Sequence, residues 1–435
     1  MLIFCIGLGI FTDLLTVVDD DGYQCIASFY EEPKGSLDAV YVGSSNCYSY
    51  WNPLFSWEEY GVATAMYASP ANSFYSTEYL IKEVRKTQPE ALIIVNINSL
   101  SDELVGEVQI HNLIKCIPFS LNKLALIHNL SEIGGHSLSK RAEFYLPIIR
   151  YHSRLTSLKK EDLQVELKGL KGASDYDLYL KRITDVTEQY VTTDRQEGLP
   201  EKLVSSTESL LDYCDKEQVN VLFVTVPQAR KDEETIGCYN ALNELLKKRG
   251  YPVLDLITRT ADMGIDLTTD FYNAEHTNIH GSIKFTQFLS EYLIDQYKFE
   301  DKRDNAAYAS WHTAYDKYAD VVAPYVLDFE MNAQSRVDIE APTLAIQQNE
   351  TDVQLQWTAV DGAEGYAIYG KTGADGAWER VAESTQTAHT VSLPSEGERY
   401  YTVVPFVDVD GNRRYGDFSY TGVALGDAEQ GGDAA

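Results

Sequence analysis

Basic charge is what this chain has least of. Its 435 residues carry 36 Lys and Arg against 66 Asp and Glu, a formal net charge of -30. A nucleic-acid partner needs a clustered basic surface, so that class is excluded. The average charge also opposes attraction to an anionic membrane. Cysteine is sparse: Cys5, Cys25, Cys47, Cys116, Cys214 and Cys238 are the full set, and none stands in C-x-x-C spacing. That excludes a zinc ribbon or a thioredoxin-type motif, and the six read mostly as free, buried thiols. No G-x-S-x-G elbow occurs, which disfavours a typical α/β-hydrolase. The 28 Gly and 13 Pro are too few for a collagenous or broadly disordered chain.

What is present is a 44% apolar composition, enough for a sizeable core, and 30 Tyr. The length suggests two or three domains. Met1 to Val18 is apolar except for Thr12, Asp13 and Thr16. This is short for a span of ~20 residues, and it lacks the basic start of a signal peptide, since the first Lys is Lys34. Residues 1–30 are read as the remnant of a signal segment or membrane anchor.

Buried-strand patterns recur along the next 260 residues. Leu37 to Val42, Ala91 to Val95, Val219 to Val226 and Tyr251 to Leu256 are apolar runs. Amphipathic helical patterns separate them at 78–86, 200–216, 234–249 and 281–297. Strands alternating with helices predict a parallel sheet covered on both faces. Residues 100–200 fit this scheme poorly and read as an irregular insertion. After Ala341-Pro342 the period changes to two, as in Val353-Gln354-Leu355-Gln356-Trp357, with turn signals at Asp361-Gly362 and Asp410-Gly411. This predicts a β-sandwich over 341–425, with Trp378 among its residues. The acidic, small residues 426–435 read as a disordered tail.

Two segments carry candidate chemistry. In Val40-Tyr41-Val42-Gly43-Ser44-Ser45-Asn46 a serine follows a buried strand on a glycine turn. That placement projects a hydroxyl at the sheet edge and aims its backbone N–H into the same space. In Asp270-Phe271-Tyr272-Asn273-Ala274-Glu275-His276 a histidine precedes the last helix, with a polar residue three positions earlier. Such a residue can contact the second ring nitrogen and fix the tautomer. His276 and His280 have helical metal-pair spacing but no H-E-x-x-H motif, so no metal is expected.

Together these segments resemble the SGNH/GDSL hydrolase superfamily, over roughly 36–325, in the manner of bacterial cell-envelope SGNH-like proteins. Tyr60-Gly61 and Leu146 to Arg154 add to the likeness. The resemblance implies a three-layer α/β/α, flavodoxin-like parallel sheet. It also implies Ser45 as nucleophile, His276 as general base, and oxyanion donors from the Ser45 and Ala68 backbone and the Asn98 side chain, with Asn96 as an alternative. Asn46 and Trp51 are the substrate-binding candidates. Trp51 belongs to an aromatic cluster, with Tyr48, Tyr50, Phe55 and Trp57, that either lines a sugar site or packs a helix on the sheet.

One departure stands out: the family's Asp position, three before the histidine, holds Asn273. An amide can orient the ring but cannot stabilise the imidazolium by charge. The alternatives are a slower Ser–His dyad, a second carboxylate such as Asp270, or a domain that no longer turns over. The 341–425 stretch resembles a fibronectin type III module, on Ala341-Pro342, Trp357, Gly365 to Tyr369 and Tyr401-Val403-Val404.

The expected function is a serine-dependent O-acyl (acetyl) esterase or acyltransferase acting on a cell-envelope or extracellular glycan. The expected location is extracytoplasmic, and no cofactor is implied. The partner would be an acylated glycan or other small ester, with membrane contact only through the N-terminal segment. The alternative is a catalytically impaired binding or assembly protein of the cell envelope.

Overall fold

The computed structural model describes residues 15–421, apart from 17–19, 157, 159–165, 177–178, 181–189, 229–230, 268, 331–336, 338, 350, 374–378, 393–398, 410–411 and 418. Trp378, the Asp410-Gly411 turn and the acidic tail therefore lie outside the described residues. The chain divides into two compact units at Tyr318/Ala319.

The first unit is built on a parallel sheet. Its strands are β1 (Ala39–Gly43), β2 (Thr64–Ala68), β3 (Leu92–Asn96), β4 (Val221–Thr225) and β5 (Val253–Asp255), in the order β2-β1-β3-β4-β5. Every residue of β1 to β4 is buried. Strand side chains alternate between faces, so uniform burial means that both faces are covered. One face presents Tyr41, Met66, Ile94 and Val224 to a core that includes Phe285, Leu289 and Leu293. Those three recur every four residues on the helix Ile279–Tyr297 and form its apolar stripe. Each such side chain contributes roughly 1.5–3 kcal/mol by leaving water.

Strand order reverses between β1 and β3, because β2 lies on one side of β1 and β3 on the other. In open parallel sheets this reversal leaves a crevice at the carboxyl ends of the strands. Ser45 follows β1 directly, at that crevice.

Two expectations are corrected in this unit. Residues 21–30, read as part of a terminal anchor, form the helix Asp21–Glu31, with Cys25, Ile26 and Phe29 buried and Phe29 set edge-on to Tyr67 of β2. Asp20 caps this helix by accepting from the Tyr23 N–H. The insertion is not irregular throughout. It contains the helices Glu107–Ile114, Leu121–Ile133, Leu138–Tyr145 and Ile148–Tyr151. Their periodicity is weak because apolar residues on them, among them Leu121 and Leu138, point to solvent. Among the described residues, no helix is long and apolar enough to cross a membrane.

The second unit is antiparallel. One sheet joins β8 (Leu344–Gln348), β9 (Asp352–Trp357) and β12 (Ala388–Ser392). The other joins β10 (Gly365–Thr372), β11 (Glu379–Ser384), β13 (Arg399–Val409), β14 (Asn412–Tyr415) and β15 (Ser419–Thr421). Leu355 and Trp357 from the first sheet share a core with Ile368 and Val403 from the second. The period-2 pattern thus lines the space between two facing sheets.

Candidate active site

The nucleophile turn is a strand end that cannot carry a side chain. A Cβ on Gly43 would lie 3.0 Å from both Asn96 Cβ and Cys47 Sγ. Glycine therefore lets β1 approach the end of β3 before the chain enters the helix Ser45–Tyr50. Ser45 is the first residue of that helix. The histidine comes from a small hairpin, β6 (Phe271–Asn273) paired with β7 (His276–Thr277). Behind it, Asn278 caps the helix Ile279–Tyr297 by accepting from the His280 and Gly281 N–H groups.

These two segments meet. Ser45 Oγ lies 2.8 Å from His276 Nε2, across 231 residues of chain. Asn273 Oδ1 lies 3.0 Å from His276 Nδ1. The same oxygen accepts from the Glu275 N–H at 2.9 Å and the His276 N–H at 3.0 Å. Backbone N–H groups only donate, so these two contacts fix which end of the amide faces the ring. With oxygen at that position, Nδ1 must carry the proton. Nε2 then offers a lone pair to the Ser45 hydroxyl, the arrangement general-base chemistry requires.

The electrostatics differ from those of a charged triad. Burial pushes His276 down from its ordinary value to about 4, with Glu275 opposing and Lys231 reinforcing the shift. The imidazole is neutral and ready to accept a proton at pH 5–8. Forming the imidazolium costs roughly 3 kcal/mol more than in water. Tyr272 stacks on the ring, with centroids 5.4 Å apart and planes 8° from parallel. Asp270 does not reach the histidine. Its buried carboxylate pairs with Lys284 at 2.7 Å and accepts from the Asp266 N–H and Thr269 Oγ. It therefore braces the loop, and the second-carboxylate alternative does not hold for this residue.

The remaining candidates fall out differently. Ala68 pairs with Gly43 in the β1–β2 register, at the same end of the sheet as Ser45. Asn98 is corrected. Its Nδ2 donates to the Val226 carbonyl at 2.8 Å and to Gln228 Oε1 at 3.2 Å, while its Oδ1 accepts from the Val226 N–H and Asn96 Nδ2. Both amide hydrogens are committed, so Asn98 ties β3 to the end of β4 and has none left for an oxyanion.

Asn46 is buried, and its Nδ2 donates to the Glu275 carbonyl at 3.2 Å. It ties the nucleophile helix to the histidine hairpin. Trp51 is corrected for a similar reason: it is fully buried in the core, and its Nε1 donates to Thr64 Oγ1 at 3.0 Å. Its neighbours Tyr48, Tyr50 and Trp57 are buried too, so that part of the aromatic cluster packs the fold.

Three supporting residues were not legible in the sequence. Asn72, in the loop after β2, donates to the Gly43 carbonyl at 3.0 Å. Ser99 Oγ donates to Ser44 Oγ at 2.8 Å, and Ser44 passes a hydrogen bond to Asn46 Oδ1 at 3.1 Å. These are common loop residues, and only their convergence on the turn marks them. Among the described residues, no group of His, Cys, Asp and Glu is arranged to hold a metal ion.

No protein-family profile matches the chain. No curated protein matches it in sequence. Solved structures do resemble its C-terminal region. One is a fibronectin type III domain of human collagen XX, at 22% identity, covering 20% of this chain and 96% of that one with a TM-score of 0.16. Another is the twitchin kinase region of C. elegans, at 19% identity, covering 23% of this chain and 19% of that one with a TM-score of 0.17.

Proposed function

We propose that the first unit is a serine-dependent O-acyl esterase or acyltransferase of the SGNH type, acting on an acylated glycan outside the cytoplasm. The observation that carries this reading is the Ser45–His276–Asn273 line, with one hydrogen bond on each ring nitrogen. Ser45 Oγ attacks the ester carbonyl while its proton passes to His276 Nε2. The C–O bond to the sugar then breaks, and the same proton goes from Nε2 to the departing sugar oxygen. This leaves an acyl-Ser45. Water, or a second hydroxyl, repeats the sequence and releases the acyl group. Backbone N–H groups of Ser45 and Ala68 are the proposed oxyanion donors. The sandwich is proposed as a fibronectin type III-like accessory module.

A fluorophosphonate probe tests the reading. Covalent labelling at Ser45, lost in Ser45→Ala together with turnover of acetyl esters, is the expected outcome. An unlabelled Ser45, with equal ester turnover in both proteins, sinks it.

A second reading is supported by Asn273 itself. Without a charged partner the imidazolium is poorly stabilised, which suits an envelope binding or assembly protein that keeps the fold but not the turnover. In that case neither labelling nor turnover appears, and Asn273→Asp restores little.

A further inference from the structure

The hairpin that carries His276 is irregular at one residue. Phe271 pairs with Thr277 and Asn273 with His276, so two steps along β6 match one step along β7. Tyr272 is the extra residue, and a bulge of this kind re-aims a side chain. In a regular strand, neighbouring side chains point to opposite faces. Here Asn273 and Tyr272 both reach the same imidazole: Asn273 Oδ1 meets Nδ1, and the Tyr272 ring stacks on the face.

The two contacts constrain different motions. The hydrogen bonds to Ser45 Oγ and Asn273 Oδ1 lie at the edge of the ring, and both tolerate a tilt about the line joining its nitrogens. A parallel aromatic face opposes that tilt. Tyr272, itself only 8% exposed, also covers this face of the imidazole against water. The insertion backs it in turn. Tyr176 sits edge-on to Tyr272, with centroids 6.5 Å apart and planes at 75°. The chain before Tyr176 is pinned at Ser174. Its Oγ donates to Asp21 Oδ1 at 3.1 Å and accepts from the Tyr176 N–H at 3.3 Å, while its carbonyl accepts from Tyr318 Oη at 2.9 Å. Packing needs only a buried ring at this position; the bulge and the near-parallel planes are specific to the histidine.

We propose that Tyr272 is a positioning residue for the general base: its ring holds the His276 imidazole flat between Ser45 Oγ and Asn273 Oδ1 and shields it from water. The proposal rests on the reading of His276 as general base. It assigns the role to the aromatic face and none to the Tyr272 hydroxyl. The charged groups that act on the two rings are Glu275, its partner Lys231, and Asp21. All three are kept in the variants that test it.

Tyr272→Phe and Tyr272→Leu in the full chain are the test, read by acetyl-ester kinetics and by NMR titration of His276. The Phe variant keeps the stacked face and should match wild type. The Leu variant should lose about tenfold in kcat at pH 8 with KM unchanged, because a base out of line is costly. Water then reaches the ring, so the acid limb and the NMR titration should both move up from about 4, by about one pH unit or more. Circular dichroism and Tm separate this from a folding loss. If the Leu variant does not fold, Tyr176→Ala removes the backing ring from a position that is 47% exposed, and should shift the titration in the same direction. A folded Leu variant with wild-type kcat and titration overturns the proposal. So does a Phe variant as impaired as the Leu variant, since the hydroxyl and not the face would then be responsible. A titration shift in the Leu variant of a protein that turns over no ester supports the stacking and overturns the general-base reading instead.

Discussion

The side-chain oxygen of Asn273 sits 3.0 Å from Nδ1 of His276 and is held there by two backbone N–H groups. The ring is therefore oriented as a carboxylate would orient it, without the charge. An Asp at this position keeps all three hydrogen bonds and adds stabilisation of the imidazolium. Asn273→Asp should raise the His276 pKa above its present value of about 4 and increase ester turnover by about 10²-fold or more, given the roughly 10⁴-fold cost of the reverse change in a serine protease. Histidine titration by NMR and kcat/KM with an acetyl ester check the two halves. A raised pKa with unchanged turnover removes His276 as general base.

Wild-type activity should persist well below the pH at which an ordinary histidine protonates. The acid limb of kcat/KM is expected near pH 4, the value to which burial pushes His276. A limb near 6.5 would mean that the ring is solvated in the working enzyme.

Stability should show two opposed terms. His276 binds a proton less readily when folded, so its contribution is complete above pH 6.5 and is lost as pH falls toward about 4. Asp21 is pushed up by burial to about 6, against the effect of its Ser174 hydrogen bond and Lys168. Its contribution is complete below its ordinary value and is lost as pH rises through 6. Between pH 4 and 6 the two offset each other. Asp21→Asn removes one, and the variant's stability relative to wild type should rise with pH by up to about 1.4 kcal/mol per unit. Urea unfolding at four or five pH values measures this directly. Parallel wild-type and variant curves would rule it out.

Asn98→Ala should act on the fold first. It leaves the Val226 N–H and carbonyl without their side-chain partner, at a cost of about 1–3 kcal/mol. Asn98→Asp, which keeps the acceptor but sets a buried carboxylate oxygen against the Val226 carbonyl and Gln228 Oε1, should lower the Tm at least as far. A 10²-fold fall in kcat with unchanged Tm would restore Asn98 to the oxyanion hole.

Trp51→Ala should lower stability by about 3–5 kcal/mol, as expected of a large buried side chain. Trp51→Phe should retain the affinity for any glycan that binds the wild type, measured by calorimetry. A selective loss of glycan binding in the folded Phe variant would place the ring in the site after all.

The sequence by itself determined the class of each unit, because side-chain period is a local property. Continuous apolar runs such as Leu92 to Val95 specify strands covered on both faces, and the alternation of Val353, Leu355 and Trp357 specifies a half-buried sheet. It also marked Ser45, Asn273 and His276, since a strand end and a helix start are visible as patterns. Only the tertiary structure decided what the flanking residues do. Asn98 reads as a donor until Val226, 128 residues away, takes its amide. Trp51 reads as a sugar platform until Thr64 and the core enclose it. The residues that hold the turn, Asn72 and Ser99 among them, carry no signal of their own, because their role lies in contacts between strand ends that chain order does not record. Period is written along the chain, whereas a hydrogen-bond partner is chosen by which segments the sheet brings together.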